Sequence, residues 1–246
     1  MSALIATLRR ELQAYFLSPL AYVVLTVFLL VNGFVFWLIV SFLSDPRAGF
    51  GAPLELFFGQ TFFFWLVLLF VTPVLTMRLI SEERRSGTIE VLMTAPVSEV
   101  EVVLGKYLAA LVFYLCLWVP TLVYAVIIDR YSDVDWGPVA AGYLGVLGIG
   151  SVFLAVGLFA STLSRSQLVA ALVTFVILIP LFTFGLLENM TNSPILKQVF
   201  GYLNIWQHMD EFGKGIVDTR RLVYYASLSG FLLFLASRSL ELKKWR

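Results

Sequence analysis

The chain has 246 residues, 60% of them hydrophobic and 13% charged, with a formal net charge of +1, whereas an average soluble domain carries roughly 25% charged residues. A mean hydropathy of +0.90 and 22 Phe exclude a soluble globular domain, because that many apolar side chains cannot all be hidden from water in a body of this size. The single cysteine, Cys116, excludes an intrachain disulfide or a cysteine-based metal cluster and reads as a small packing residue.

An ionised side chain at the bilayer centre costs at least ~2.5–3.5 kcal/mol, so spanning helices exclude charge. The charge-free stretches are 12–44, 56–77, 107–128, 136–164, 166–187 and 222–237. Each of the first five holds the ~20 residues a spanning helix requires. The sixth is short, but Arg221 and Arg238 bound it and can carry their charges to the interfaces with their stems in lipid. The expected architecture is an all-α integral membrane protein with six transmembrane helices in a single transmembrane domain, 1–246.

In residues 1–18 the apolar Leu4, Ile5, Leu8, Leu12, Tyr15 and Phe16 recur at helical spacing, with Arg9, Arg10, Glu11 and Gln13 elsewhere around the wheel. That pattern predicts an amphipathic helix along the cytoplasmic interface. The apolar run that follows is too long for the core of a cleavable signal, so the first span is expected to stay. It carries one amide, Asn32, and the second span opens on Gln60, Thr61, Phe62, Phe63, Phe64 and Trp65. Asn32, Gln60, Thr61 and Phe64 are candidates for a substrate path. The competing reading is interhelical hydrogen bonding for the polar three and core or lipid-facing packing for the aromatics.

The one long charged passage, "SEERRSGTIEVLMTAPVSEVEVVLGK" at 81–106, lies between spans two and three. Ile89, Leu92 and Met93 share a helical face, and Ala95-Pro96 ends it, since proline lacks the amide donor and biases its predecessor toward extended backbone. Ser98 with Glu101 three residues later fits a capping box, so a second helix starts there and runs through Gly105-Lys106 into span three. Helix-forming residues in place of a Gly/Ser linker can transmit force. The competing reading is a capped structural loop that only sets register.

Pro120 and Pro180 fall inside spans three and five, where each removes a backbone hydrogen bond and kinks its helix. Span four pairs small residues four apart, Ala141 with Gly145, Ser151 with Ala155 and Gly157 with Ser161, a face suited to close packing within the bundle or to a dimer seam. Residues 188–221 predict short helices dipping into the outer interface, from the spacing of Ile195, Val199, Tyr202, Leu203, Trp206, Met209 and Phe212. Lys and Arg concentrate at the N-terminus, the second and fourth loops and the tail, so both termini are expected in the cytoplasm.

The six stretches contain no ionisable relay group, which argues against an autonomous pump or carrier. His208 is the sole histidine, so a metal site there would rest on carboxylates, and none is expected. No G-x-x-x-x-G-K-[ST] phosphate loop occurs. If ATP powers this protein, another chain binds it.

"RLISEERRSGTIEVLMTAPVSEVEVVLGKYLAA" resembles the cytoplasmic region of type-2 ATP-binding-cassette (ABC) transporter permeases, with the pattern E-x-x-x-G-T-x-E-x-L, then Pro, then G-K. Here those positions are Glu83, Gly87, Thr88, Glu90, Leu92, Pro96, Gly105 and Lys106. The region from His208 to Glu241 is similar to the gliding-motility-type permeases. The resemblance implies a permease subunit of an exporter, not itself an enzyme, in a bacterial inner membrane. It implies a cytoplasmic coupling helix within 78–106 that docks a separate ABC ATPase carrying ATP and Mg, and a second permease subunit as partner in a homo- or heterodimer. The chain itself needs no cofactor, and no nucleic-acid partner is expected. Carried over residue by residue, Glu82, Glu83, Arg84, Gly87, Thr88 and Glu90 become candidates for the ATPase contact and its transmission. Pro96 and Lys106 fix geometry, with the lysine snorkelling at the membrane surface. The alternative is a membrane scaffold or mechanotransmission subunit that anchors an ATPase and moves no solute.

Overall fold

The computed structural model describes residues 3–45, 53–88, 97–191 and 193–244. Among them there is no strand, and six helices are long and apolar enough to cross a membrane. Their order is α1 (Ala3–Phe16), α2 (Pro19–Leu43), a one-turn α3 (Pro53–Glu55), α4 (Phe62–Thr76), α5 (Ser81–Arg85), α6 (Glu99–Trp118), α7 (Leu122–Asp129), α8 (Trp136–Leu163), α9 (Gln167–Met190), α10 (Pro194–Leu203), α11 (Ile205–Gly213) and α12 (Thr219–Lys244). The spans are α2, α4 with α5, α6 with α7, α8, α9 and α12.

The fourth span is the centre of the bundle. α8 packs against α4, α6, α9, α11 and α12, and its glycines explain why. A Cβ at Gly142 would meet the Phe58 ring at 2.6 Å, one at Gly145 would meet Phe212 at 2.9 Å, and one at Gly150 would meet Tyr114 at 2.3 Å. In lipid there is no hydrophobic force between helices, so close approach and dispersion must hold them, and missing side chains permit both. These small residues serve packing within the bundle. By contrast α2 and α9 turn long apolar faces outward, including Leu30, Phe34 and Trp37 on one and Leu168, Leu172 and Val176 on the other.

Span two begins later than its charge-free stretch suggests. Residues Leu56–Gln60 form a π-type turn broken at Phe58 (φ −85°, ψ 88°) and Gly59 (φ 84°, ψ −15°), and α4 starts only at Phe62. Phe57 and Phe58 are apolar because this break is buried. Span three is interrupted at Pro120 by a 3-10 turn, Val119–Thr121, while α9 continues through Pro180. Span six is longer than the charge count allows: its helix covers Thr219–Leu242 at spanning hydropathy. Arg221 does not reach for lipid, because its guanidinium forms a two-pronged pair with Glu211 at 3.1 Å on each arm. Buried span hydroxyls close on their own helices, as Thr72, Thr76 and Thr174 donate to carbonyls four residues back at 2.8 Å.

Between spans five and six, α10 exposes Ile195, Leu196 and Val199, as an interfacial helix would. Its successor α11 leaves the interface: Ile205, His208, Met209 and Phe212 are buried against the Leu56–Gln60 turn and α8. Asn204 caps α11 by accepting from the amides of Trp206 and Gln207. His208 is fully enclosed. Its Nε2 lies 3.2 Å from the Tyr202 carbonyl, which can only accept, so Nε2 carries the proton and Nδ1 accepts from the Tyr225 hydroxyl at 2.9 Å.

Burial first, then the neighbouring Arg221, pushes the His208 pKa down to about 4, against smaller opposing effects of the Tyr202 carbonyl and Asp218. Tyr224 completes the surroundings, edge-on to the ring. A depressed basic pKa means that the unfolded chain takes up a proton which the folded chain refuses. Thermal stability is therefore expected to fall as pH drops from 6.5 toward 4, with a smaller slope in His208→Gln, which keeps a donor and an acceptor. Equal slopes in melting temperature against pH for the two proteins would remove His208 from the account.

Candidate functional site: the charged elbow between spans two and three

The elbow is built at the end of the bundle that carries the N-terminal helix. Its second helix starts as the sequence requires: the Ser98 hydroxyl accepts from the Glu101 amide at 3.3 Å and the Glu101 carboxylate accepts from the Ser98 amide at 3.2 Å. Residues 89–96, with the candidates Glu90 and Pro96, lie outside the described residues.

Two sets of contacts fasten the root of the elbow. The first is to α8. The Ser161 hydroxyl accepts from the amides of Ile80 and Ser81, each at 3.0 Å. Arg84 donates to the Thr162 carbonyl at 2.6 Å, placing its positive charge on the C-terminal end of α8, where the helix dipole favours a cation.

The second is an ion cluster. The Lys106 ammonium lies 2.8 Å from Glu11 Oε1 and 3.0 Å from Glu83 Oε1. Arg10 Nη2 is 3.0 Å from the same oxygen of Glu11 and 2.7 Å from that of Glu83. The Lys106 side chain is 1% exposed, against 55% for Arg10. Lys106 thus does not snorkel to a headgroup but is enclosed by α1, α5 and α6. Burial opposes ionisation of Glu11, yet the Lys106 ammonium and the Arg10 guanidinium outweigh it and hold the carboxyl below its ordinary range.

Gly105 makes this pairing reachable. A Cβ there would sit 2.9 Å from Thr7, so α1 crosses α6 at the glycine and sets Glu11 beside Lys106. The far end of α1 is tied down as well. The Tyr15 hydroxyl donates to the Leu75 carbonyl at 2.7 Å, its ring stacks on Phe113 at 4.9 Å, and the Arg78 guanidinium lies over the ring at 4.9 Å from its centroid. The predicted interfacial helix is therefore strapped to the bundle along one face.

The candidates divide by direction. Glu83 and Arg84 turn inward to bundle partners, whereas Glu82, Gly87 and Thr88 are exposed at the tip. Gly87 has φ 74°, a backbone conformation that favours glycine, and among the described residues no atom lies within 4 Å of a would-be Cβ. Thr88 shares a hydrogen bond of 2.9 Å with Ser86. Arg10, Glu11, Ser161 and Thr162 were missed as site residues. Charge inside an otherwise amphipathic helix was a signal for the first two, but nothing local marks the others.

The candidate path residues do not share one surface. Asn32 is buried and donates to the Phe28 carbonyl of its own helix at 2.8 Å, and Phe64 is core, against Trp65 and Trp118. Gln60 is exposed and donates to Asp210 at 3.0 Å. Thr61 precedes α4 with its hydroxyl buried and unpartnered among the described residues.

With this geometry in place, comparison with known proteins decides the family. A family model described as ABC-2 family transporter protein matches residues 18–181, which include the whole elbow. The chain belongs to the ABC-2 transporter family. Over 144 residues this ABC-2 family member is 26% identical to the probable multidrug ABC transporter permease YbhR of Escherichia coli strain K12, and equally to that of strain O157:H7. The aligned stretch covers 58% of this chain and 39% of each relative, so the match spans about two fifths of the length of those curated proteins. As a member with six spanning-length helices, it is a multi-pass membrane protein.

Proposed function

We propose that this ABC-2 protein is the permease subunit of an ATP-driven exporter in a bacterial cytoplasmic membrane, with both termini cytoplasmic. It works as one of two such subunits, with ATP and Mg bound by a separate ATPase. The observation that carries the reading is the divided elbow: Glu82, Arg85, Gly87 and Thr88 exposed at its tip, and a root locked to α8, α1 and α6. Glu82, Gly87 and Thr88 contact the ATPase. Glu83, Arg84 and Lys106 pass its movement on, because a push on a tip fixed at three helices tilts them together instead of bending a linker. By its place in the motif Glu90 is assigned to the ATPase contact and its transmission, and Pro96 to fixing the geometry of the coupling region. Asn32, Gln60, Thr61 and Phe64 enter a substrate path only after the spans rearrange.

The test is co-purification with the ATPases of its own operon, followed by hydrolysis assays in liposomes. Glu82→Ala/Thr88→Ala is expected to weaken the complex by about tenfold, the scale of losing one or two charged or polar contacts. Gly87→Pro, which cannot adopt φ 74°, is expected to keep the fold and abolish the response of hydrolysis to cargo. No ATPase associating with the wild type would end the proposal. A stable complex that moves no solute would instead make the protein an anchoring or mechanotransmission subunit.

A further inference from the structure

At the opposite end of the bundle, a groove of about 550 Å3 opens between the end of α9, α10 and the start of α12. Its wall includes three cations, Lys197, Arg220 and Arg221, and two carboxylates, Glu188 and Asp218. Arg221 is matched to Glu211, and Lys214 outside the groove is matched to Asp210. Among the described residues, Lys197 and Arg220 are exposed and their side chains form no ion pair. Glu188 is held by the Asn204 amide at 2.8 Å, and Asp218 by the Arg220 backbone N–H at 2.8 Å.

The depth of the groove follows from the spans. Glu188 lies in the last turn of α9, two residues before its end at Met190, and Arg220 is the second residue of α12. On α10 the residues lining the groove, Pro194, Lys197, Gln198 and Gly201, recur every three or four positions, while Ile195 and Val199 face away and are exposed. An amphipathic helix at a span's end lies with its apolar face in the acyl boundary and its polar face at headgroup level. Two unmatched cations beside two oriented carboxylates, at that depth, complement a zwitterion.

We propose that this groove binds the headgroup of a phospholipid bearing a primary amine, with the phosphate on Lys197 and Arg220 and the ammonium on Glu188 and Asp218. A trimethylammonium headgroup has no N–H to donate to the carboxylates, and a singly anionic headgroup would leave both carboxylates unanswered. The proposal needs only the membrane-spanning fold and stands independently of ATPase docking.

Delipidated protein is titrated in detergent by native mass spectrometry with dioleoyl phosphatidylethanolamine, phosphatidylcholine and phosphatidylglycerol. The wild type is expected to retain phosphatidylethanolamine about tenfold more tightly than either of the others, the scale of one charge-assisted hydrogen bond. Lys197→Ala/Arg220→Ala, at exposed positions, is expected to lose binding of all three. Glu188→Gln/Asp218→Asn keeps the acceptors that hold Asn204 and the Arg220 amide, and is expected to bind all three alike. Equal retention of the three lipids by the wild type, or undiminished retention by the Lys197/Arg220 variant, would overturn the proposal. Displacement of the lipid by equimolar free glycerophosphoethanolamine would overturn it too, by identifying a soluble ligand.

Discussion

Lys106→Met is expected to destabilise the protein by about 3–5 kcal/mol, the usual cost of removing one partner from a buried ion pair. The methionine keeps the apolar stem in place and deletes only the ammonium that stands 2.8 Å from Glu11 and 3.0 Å from Glu83. Two mostly buried carboxylates, 13% and 17% exposed, then face each other with only Arg10 between them. Arg10 is more than half exposed, so solvent screens much of its attraction.

The expected remedy identifies the cause. Glu11→Gln in the Lys106→Met background removes one of the stranded charges and should recover part of the loss. Adding Glu83→Gln should bring stability close to that of the wild type, since a wholly neutral replacement of a buried cluster is often harmless. Thermal unfolding in detergent measures all four proteins. A loss for Lys106→Met within half a kcal/mol of zero would show that the cluster does not act as a unit. On the proposed mechanism, the triple variant separates stability from coupling: it folds, yet nothing electrostatic ties α1 to the elbow, and stimulated hydrolysis falls.

Gly59→Ala is the second large effect, expected at about 3 kcal/mol from two separable causes. Its φ of 84° is a left-handed conformation that costs an L-residue about 1–2 kcal/mol. The added Cβ would also lie 2.4 Å from Met209 Cγ, and overpacking of a filled core typically costs about 1–3 kcal/mol. The backbone cannot swing aside easily, because the Trp65 indole donates to the Gly59 carbonyl at 2.8 Å. In a Met209→Ala background the Cγ contact is gone but the residue 209 Cβ at 2.9 Å stays, so Gly59→Ala should cost less there and still more than its backbone share. Gly87→Ala is the matching control, with φ 74° and no atom within 4 Å of the added Cβ among the described residues, and should show that share by itself. If Gly59→Ala proves as mild as Gly87→Ala, the close approach of α11 to the turn is wrong.

Both effects concern contacts that the sequence does not display, and the two glycines show where its legibility stops. Gly87 stands in a polar run, where a glycine signals a turn. Gly59 sits among Phe57, Phe58 and the aromatics of span two, so a buried backbone break there has the same composition as a helix. The capping box at Ser98 and Glu101 was legible because it is a local device, closed within four residues. Lys106 was legible as a cation at a span's edge, but Glu11 lies 95 residues away and Glu83 in another helix. The small residues of span four announced close packing and left open what would pack there; Phe58, Phe212, Tyr114 and Thr76 now fill those places.

The sequence alone determined the solvent, the number of spans and the position of the elbow. Those depend on the cost of placing one side chain at a time in lipid, and such a cost can be summed along a chain. Tertiary structure alone decided that Lys106 is enclosed, that α11 leaves the interface for the bundle, and that Glu83 and Arg84 face inward while Glu82 and Thr88 face out. Each of these is a pairing between groups distant in the chain, and Coulomb attraction and van der Waals contact depend on a separation that only the folded backbone sets.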